Sequence, residues 1–339
     1  MTNNPPGGNG IKIVFSAKDE TGFSRLYLTC GDFSKFTLLE GVSGEDAITP
    51  IFTPDGMGVF FAERHEGRFN LHYYDLSAGR SIALTDDGMN DYAPAISPCG
   101  KRLAWCRSPE MTLKGANLAE IFVSDWPEFK PRRLTDNDRM DAYPVFTGNG
   151  ESVIIESGNT AGLFGLFKIN FDDGRETPLS YDPENYGAGI PSAFGGRIVY
   201  ERCESASPGL FNIFEISLED NGSPQNIAAW NTPCNPSPRY SPDGKLVAAH
   251  RLGDDRASSQ IVIFPASGHA PLVEIGGPDE RYMLPRWSRD SGVLAFVNSS
   301  ELALYFLDLS NGGGRPKRIP SPGPYRMQRF MEIYNFDIY

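Results

Sequence analysis

One phrase recurs along this chain and constrains its fold more than any other feature. It is a proline, a variable residue, an aromatic or isoleucine, a turn resembling Ser/Thr-Pro-Asp-Gly, and then an apolar run. It reads PIFTPDG from Pro50 to Gly56, PAISPCG from Pro94 to Gly100, PVFTGNG from Pro144 to Gly150 and PRYSPDG from Pro238 to Gly244. A degraded copy, PRWSRDSG, runs from Pro285 to Gly292, and a weaker one from Pro191 to Gly196. The residue types have a mechanical logic: proline presets φ, aspartate bonds its own backbone, and glycine accepts the left-handed conformation that closes a tight turn. Each copy predicts a hairpin hinge.

The segment after each hinge is as regular. An apolar strand such as VFFAE, LAWCR, VIIES, IVYER, VAAHR or LAFVN leads through a loop to an alternating strand. That strand reads NLHYYDL, EIFVSD, LFKINF, NIFEIS, IVIFPAS or ALYFLDL, and a short fourth such as SIALT or RRLT closes the unit. Four strands in 40 to 50 residues make one propeller blade, too small to bury its own faces and therefore stacked on its neighbours. The 36 Gly and 27 Pro suit many turns, and 22 Phe with 14 Tyr supply strand-favouring side chains.

The SPDG turn, the Asp-Leu strand endings (Asp75-Leu76, Asp308-Leu309) and the Leu-Thr closing strands (Leu84-Thr85, Leu134-Thr135) resemble the PD40 repeat of TolB and of the propellers in prolyl oligopeptidase relatives. The resemblance runs from about Ile11 to about Pro320. It implies an all-β fold, a single β-propeller over residues 11–339 after a flexible N-terminal segment, residues 1–10. One copy begins without its turn at Ile11 to Phe15 and six more carry versions of it, giving seven four-stranded blades. Six is the alternative if the first copy or the one near Pro191 is not a full blade. In this family the C-terminal segment supplies the first blade's missing inner strand. The aromatic-rich Tyr325 to Tyr339, ending MEIYNFDIY, suits that closure. The repeat serves scaffolds, gated peptidases and a few lyases, so the resemblance implies fold more than function.

Charge and composition narrow the partners. A net charge of −12 with no basic, aromatic-interleaved cluster argues against nucleic acid. No apolar run approaches membrane-spanning length, and MTNNPPGGNG lacks the charged and apolar regions of a secretory signal. Five scattered cysteines indicate neither a disulfide framework nor a zinc site. A cytoplasmic location is expected, or a periplasmic or secreted one if a signal peptide has been removed.

The blade geometry places the end of strand two from every blade at one face of the pore. Counting from the turn glycine or its equivalent gives Ser16, Ala62, Cys106, Glu156, Glu201, His250 and Val297. Small or apolar residues are the expected fill, so Glu156, Glu201 and His250 are the candidate acid-base residues. The competing reading pairs them with Arg202 and Arg251, or has them make hydrogen bonds between blades. A second ring precedes the prolines: Asp46, Asp91 and Asp141, then Asn235 and Tyr282. Three carboxylates on adjacent blades could take Ca²⁺ in the pore, or each could cap its own turn; no other cofactor is expected. Glu63, Arg64, His65 and Arg107, with Arg202, Arg251 and Tyr282, are candidate ligand-binding residues, and the long Ser108–Asn117 loop is placed to gate the pore. His72 and His269 read as isolated, His72 as a blade-surface residue. The four tryptophans read as inter-blade fill.

No GxSxG, P-loop, HExxH or GxGxxG motif is present. Four dispersed histidines do not match the several-histidine metal site of the seven-bladed oligogalacturonate lyases. The leading expectation is a binding module presenting a small-molecule or protein ligand site at the pore face. The alternative is a stand-alone lyase or cyclase using the Glu156, Glu201 and His250 cluster.

Overall fold

The predicted hinge forms as its chemistry requires. The Thr53 N–H donates to the Gly58 carbonyl and the Gly58 N–H to Thr53 Oγ1, both at 2.9 Å, the Gly56 N–H donates to the Thr53 carbonyl at 2.9 Å, and the Met57 N–H donates to Asp55 Oδ1 at 3.0 Å. Gly56 takes φ +65°, and Gly100, Gly150 and Gly244 repeat it at +73°, +71° and +69°. In the degraded copy Ser291 occupies the same slot at φ +61°, a left-handed conformation that costs a side-chain-bearing residue about 1–2 kcal/mol.

The computed structural model describes residues 10–42, 44–110, 119–158, 164–180, 191–203, 209–219, 223–233, 236–253, 257–268, 270–310, 314–324 and 336–339. Blade 1 holds β1 (Lys12–Lys18), β2 (Ser24–Cys30) and β3 (Phe36–Leu38); blade 2 holds β4 (Asp46–Phe52), β5 (Gly58–His65), β6 (Arg68–Asp75) and β7 (Arg80–Ala83). Blade 3 is β8 (Asn90–Ile96), β9 (Arg102–Ser108), β10 (Glu120–Asp125) and β11 (Arg132–Arg133). Blade 4 is β12 (Met140–Phe146), β13 (Ser152–Gly158), β14 (Phe164–Asn170) and β15 (Glu176–Ser180). Blade 5 is β16 (Ser192–Phe194), β17 (Arg197–Cys203), β18 (Phe211–Ser217) and β19 (Gln225–Thr232). Blade 6 is β20 (Arg239–Tyr240), β21 (Leu246–Leu252), β22 (Ser259–Pro265) and β23 (Val273–Ile275). Blade 7 is β24 (Tyr282–Trp287), β25 (Val293–Asn298), β26 (Ala303–Asp308) and β27 (Lys317–Arg318). The last strand, β28 (Phe336–Ile338), returns to pair antiparallel with β1. The ring has seven four-stranded blades, and the weak copy near Pro191 is a full blade. No helix occurs among the described residues, hence none long and apolar enough to cross a membrane.

The core is not one mass but a set of seams between blades. Seven clusters of buried apolar residues are present, and each joins neighbouring blades. Ile154 of blade 4 packs with Tyr200 of blade 5, for example, and Phe60 of blade 2 with Trp105 of blade 3. Trp105 and Trp287 are buried in seams and Trp126 and Trp230 lie against them. A single parallel bridge, Ser24 to Asp46, links blades 1 and 2 into one sheet.

The inner strands of five blades also carry a kink that the repeat does not advertise. The residue just before the phrase-opening proline is left-handed in five blades: Thr49, Ala93, Tyr143, Ser237 and Leu284, with φ between +46° and +58°. The ladder slips there in blades 2, 3, 4 and 7, a β-bulge that redirects one backbone N–H.

Ring closure rests on β28. Lys12 and Tyr339 exchange backbone hydrogen bonds of 2.9 and 2.8 Å, and Phe336 and Ile338 enter the seam shared by blades 7 and 1. The Phe52 N–H of blade 2 donates to Asp337 Oδ2 at 2.8 Å, while the Tyr339 ring lies so close over Gly56 that a Cβ there would meet it at 2.5 Å. Three blades thus meet on four terminal residues. Removing residues 336–339 should leave β1 as an open edge and lower the whole melting transition, with aggregation on heating. Differential scanning calorimetry of the truncated chain checks this; an unchanged cooperative transition would contradict it.

Candidate functional site

Side-chain alternation decides where the ring of strand-two ends points. In β13, Glu156 shares its face with Ile154, which packs against blade 5. In β17, Glu201 shares its face with Val199, which packs against blade 6, and in β21 His250 shares its face with Ala248, packed against blade 7. The two-residue period therefore turns the three candidates into three successive seams. They are not among the groups whose ligand atoms lie within 4.8 Å of one another in the described residues, although Glu201 is near enough for its charge to act on Glu156.

The ring residues meet the bulge of the following blade. Ser16 Oγ donates to the Ala47 carbonyl at 2.6 Å, and the Tyr143 N–H donates to Cys106 Sγ at 3.3 Å. The Ser237 N–H donates to Glu201 Oε2 at 2.8 Å, with Glu201 only 1% exposed. Arg202 and Arg251, one residue on, point to the opposite face: Arg202 lies 4.9 Å from the Phe214 ring centre and Arg251 pairs with Glu274 at 3.0 Å. Neither arginine is the partner of these acids.

Electrostatics separate the members. Half-buried Glu156 makes no hydrogen bond or ion pair among the described residues; burial first, and the charge of Glu201 second, push its carboxyl well above the usual range. Residue 190, just before the Pro191 phrase of blade 5, lies outside the described residues. His250 is 3% exposed, its Nδ1 has no hydrogen-bond partner among the described residues, and burial, reinforced by Arg239, lowers its pKa to about 4. Burial pushes the Cys106 thiol up to about 12, so it remains an unreactive thiol.

The aspartates before the prolines are each held by neighbouring groups. Asp91 is fully buried and accepts from Arg107 Nε and Nη2 at 2.7 and 2.8 Å and from Trp105 Nε1 at 2.7 Å. Asp46 pairs with Arg64 at 2.8 Å and accepts the Ser24 N–H at 3.1 Å; Asp141 accepts from Ser157 Oγ and from Asn137 Nδ2 at 2.8 Å. The structure does not draw the three together around one cation position. Tyr282 donates to Glu280 at 2.8 Å and stacks edge-on against Phe296, inside the seam of blades 6 and 7. Asn235, His269 and most of the Ser108–Asn117 loop lie outside the described residues.

One convergence was not apparent from the residue pattern. Glu63, His65 and His72 place one ligand atom each within 4.8 Å of one another, the only such His, Cys, Asp or Glu group among the described residues. His72, expected to be isolated, lies with Nδ1 3.3 Å from Glu63 Oε2, and His65 Nε2 stands at the same distance. The cause is hairpin register. A two-residue loop of Glu66 (φ +49°) and Gly67 (φ +80°) pairs His65 with Arg68, so His72 pairs with Phe61, diagonal to Glu63 on the same face. That two-residue loop is the signal in the sequence from which the convergence could have been found.

Residues 12–277 match the profile of the TolB beta propeller domain. The chain belongs to the TolB beta propeller family. As a TolB-type propeller it superposes on TolB from Acinetobacter baumannii with TM-score 0.55 at 20% identity, over 76% of this chain and 61% of that one. A Mycobacterium tuberculosis puromycin-hydrolyzing peptidase gives TM-score 0.69 at 15% identity, over 95% and 53%. An oligogalacturonate lyase in complex with manganese gives 0.65 at 12%, over 94% and 87%. The chain thus spans less than two thirds of the first two. These likenesses establish the propeller and no activity.

The His250 site has a pH signature. Its folded-state pKa of about 4 lies below the ordinary 6.5, so on acidification the unfolded chain takes the proton first and stability present above about pH 6.5 is lost on the way down. Urea unfolding should show wild type losing on the order of 2 kcal/mol between about pH 7 and pH 5 that His250→Gln does not lose. Parallel pH profiles would refute the assignment.

Proposed function

We propose that this TolB-type propeller is a binding module that takes an uncharged polar ligand, a small molecule or a protein main-chain group, at the face where the strand-two ends emerge. The observation behind this reading is Glu156, a carboxyl whose pKa is raised well above the usual range by burial and by the charge of Glu201, and which has no hydrogen-bond partner among the described residues. A protonated carboxyl donates a hydrogen bond that an uncharged acceptor can take, and it repels no such ligand. Acid-base catalysis would need Glu156, Glu201 and His250 to reach one reacting atom. Their orientation into three separate seams, with Glu201 already engaged by Ser237, favours binding over turnover.

A carboxyl whose folded pKa is raised contributes stability below its ordinary value, 4.5, that is lost as pH rises through the folded value. Thermal melts from about pH 4.5 to 8 should therefore show Glu156→Gln gaining on wild type as pH rises, by on the order of 1 kcal/mol at the alkaline end. Thermal-shift screening of uncharged metabolites and short peptides tests the binding itself. Hits that stabilise wild type should fail against folded Glu156→Leu, and hits that bind both equally would place the ligand elsewhere.

A further inference from the structure

We propose that Glu63, His65 and His72 form a divalent transition-metal site, of a ligand type that Zn²⁺ accepts, on the face of blade 2 turned toward blade 1. The site uses strands two and three of the blade and is separate from the Glu156 position.

Geometry is the first support. Zn²⁺ binds imidazole nitrogen at about 2.0–2.1 Å and carboxylate oxygen at about 2.0–2.2 Å, which sets tetrahedral ligand atoms roughly 3.4 Å apart. Both imidazole nitrogens stand 3.3 Å from the same oxygen, Glu63 Oε2. Neither approach is among the hydrogen bonds of these residues. Those run from the Gly44 N–H to Glu63 Oε1 and between His72 Nδ1 and Ser81 Oγ at 3.4 Å. Three donor atoms therefore converge on one point, the two imidazoles meeting the carboxylate oxygen at a separation that suits an ion pair with a protonated imidazole and a shared metal alike.

Positioning is the second. The Gly44 N–H engages Oε1 of a carboxylate 2% exposed, leaving Oε2 to the imidazoles. The loop presses so closely that a Cβ on Gly44 would lie 2.6 Å from Glu63 Cγ and 2.9 Å from His65 Nε2. His72 is 7% exposed, sandwiched between the rings of Phe61 and His65 at 5.3 and 5.7 Å. Its Nε2 is buried with no hydrogen-bond partner among the described residues. With the proton on Nε2, the Nδ1 lone pair is available to a metal. The His65 side chain is 42% exposed, so the fourth coordination position opens to solvent. Two histidines, one carboxylate and an open position are a ligand set Zn²⁺ accepts.

The test is equilibrium dialysis of the full chain against ZnCl₂, with X-ray absorption at the zinc edge. One zinc per chain is expected, with two imidazole nitrogens and a carboxylate oxygen in its shell at about 2.0–2.2 Å. His65→Ala, at a solvent-facing position, should lower affinity at least tenfold with its circular dichroism unchanged, whereas His250→Gln, in blade 6, should leave affinity as it was. Equal affinity in His65→Ala, or a zinc shell without imidazole, overturns the site. The absorption measurement reads wild type and so stands whether or not a variant folds.

Discussion

The structure depends on apolar contact between blades, because no blade can bury either face alone. A four-stranded sheet of this size leaves two surfaces of large apolar side chains, and only a neighbour on each side removes both from water. Seven seams meet that need. A ring of seams is complete only when its ends join, and β28 joins them by pairing with β1 while its side chains pack against blade 7. Asp337 adds a tie to blade 2; burial raises its carboxyl pKa while Arg286 and Arg289 act against that rise.

The pre-proline bulge explains much of the polarity within the seams. A left-handed residue with a side chain is unfavourable, and five recur at equivalent positions. Each redirects a backbone N–H out of its own ladder, and that donor needs an acceptor inside an apolar interface. Cys106 answers Tyr143 and Glu201 answers Ser237. A glutamate at such a position is therefore first a partner for the backbone, and its presence in a ring of ionisable residues does not by itself signal chemistry. The aspartates before the prolines follow the same logic, bracing strand entries through Arg107, Arg64 and nearby hydroxyls.

Most ionisable groups near the strand-two ends are thereby engaged. Glu156 stands apart through the absence of a partner among the described residues, and the Glu63, His65 and His72 group through its shared geometry. Both lie at blade ends, where strands give way to loops and a rigid ring can present different groups without altering its core. The superposition on a peptidase and on a lyase at 12–15% identity shows the shared propeller fold.

By itself the sequence determined the hinges, the blade count and the closing strand, because these rest on local rules. Proline and glycine dictate turns within a few residues, and alternation dictates strands within six or eight. It also determined which residues would lie near the ends of strand two. The tertiary structure alone decided what those residues do. Glu201 meets Ser237 across 36 positions of chain, while Arg202 and Arg251 turn the other way. The meeting of His72 with Glu63 is different, since it follows from the register of one two-residue hairpin, but the contact of Ser237 with Glu201 needed the next blade in place. Such contacts depend on relative placement to a fraction of an ångström, which residue types and spacings do not encode until the ring has closed.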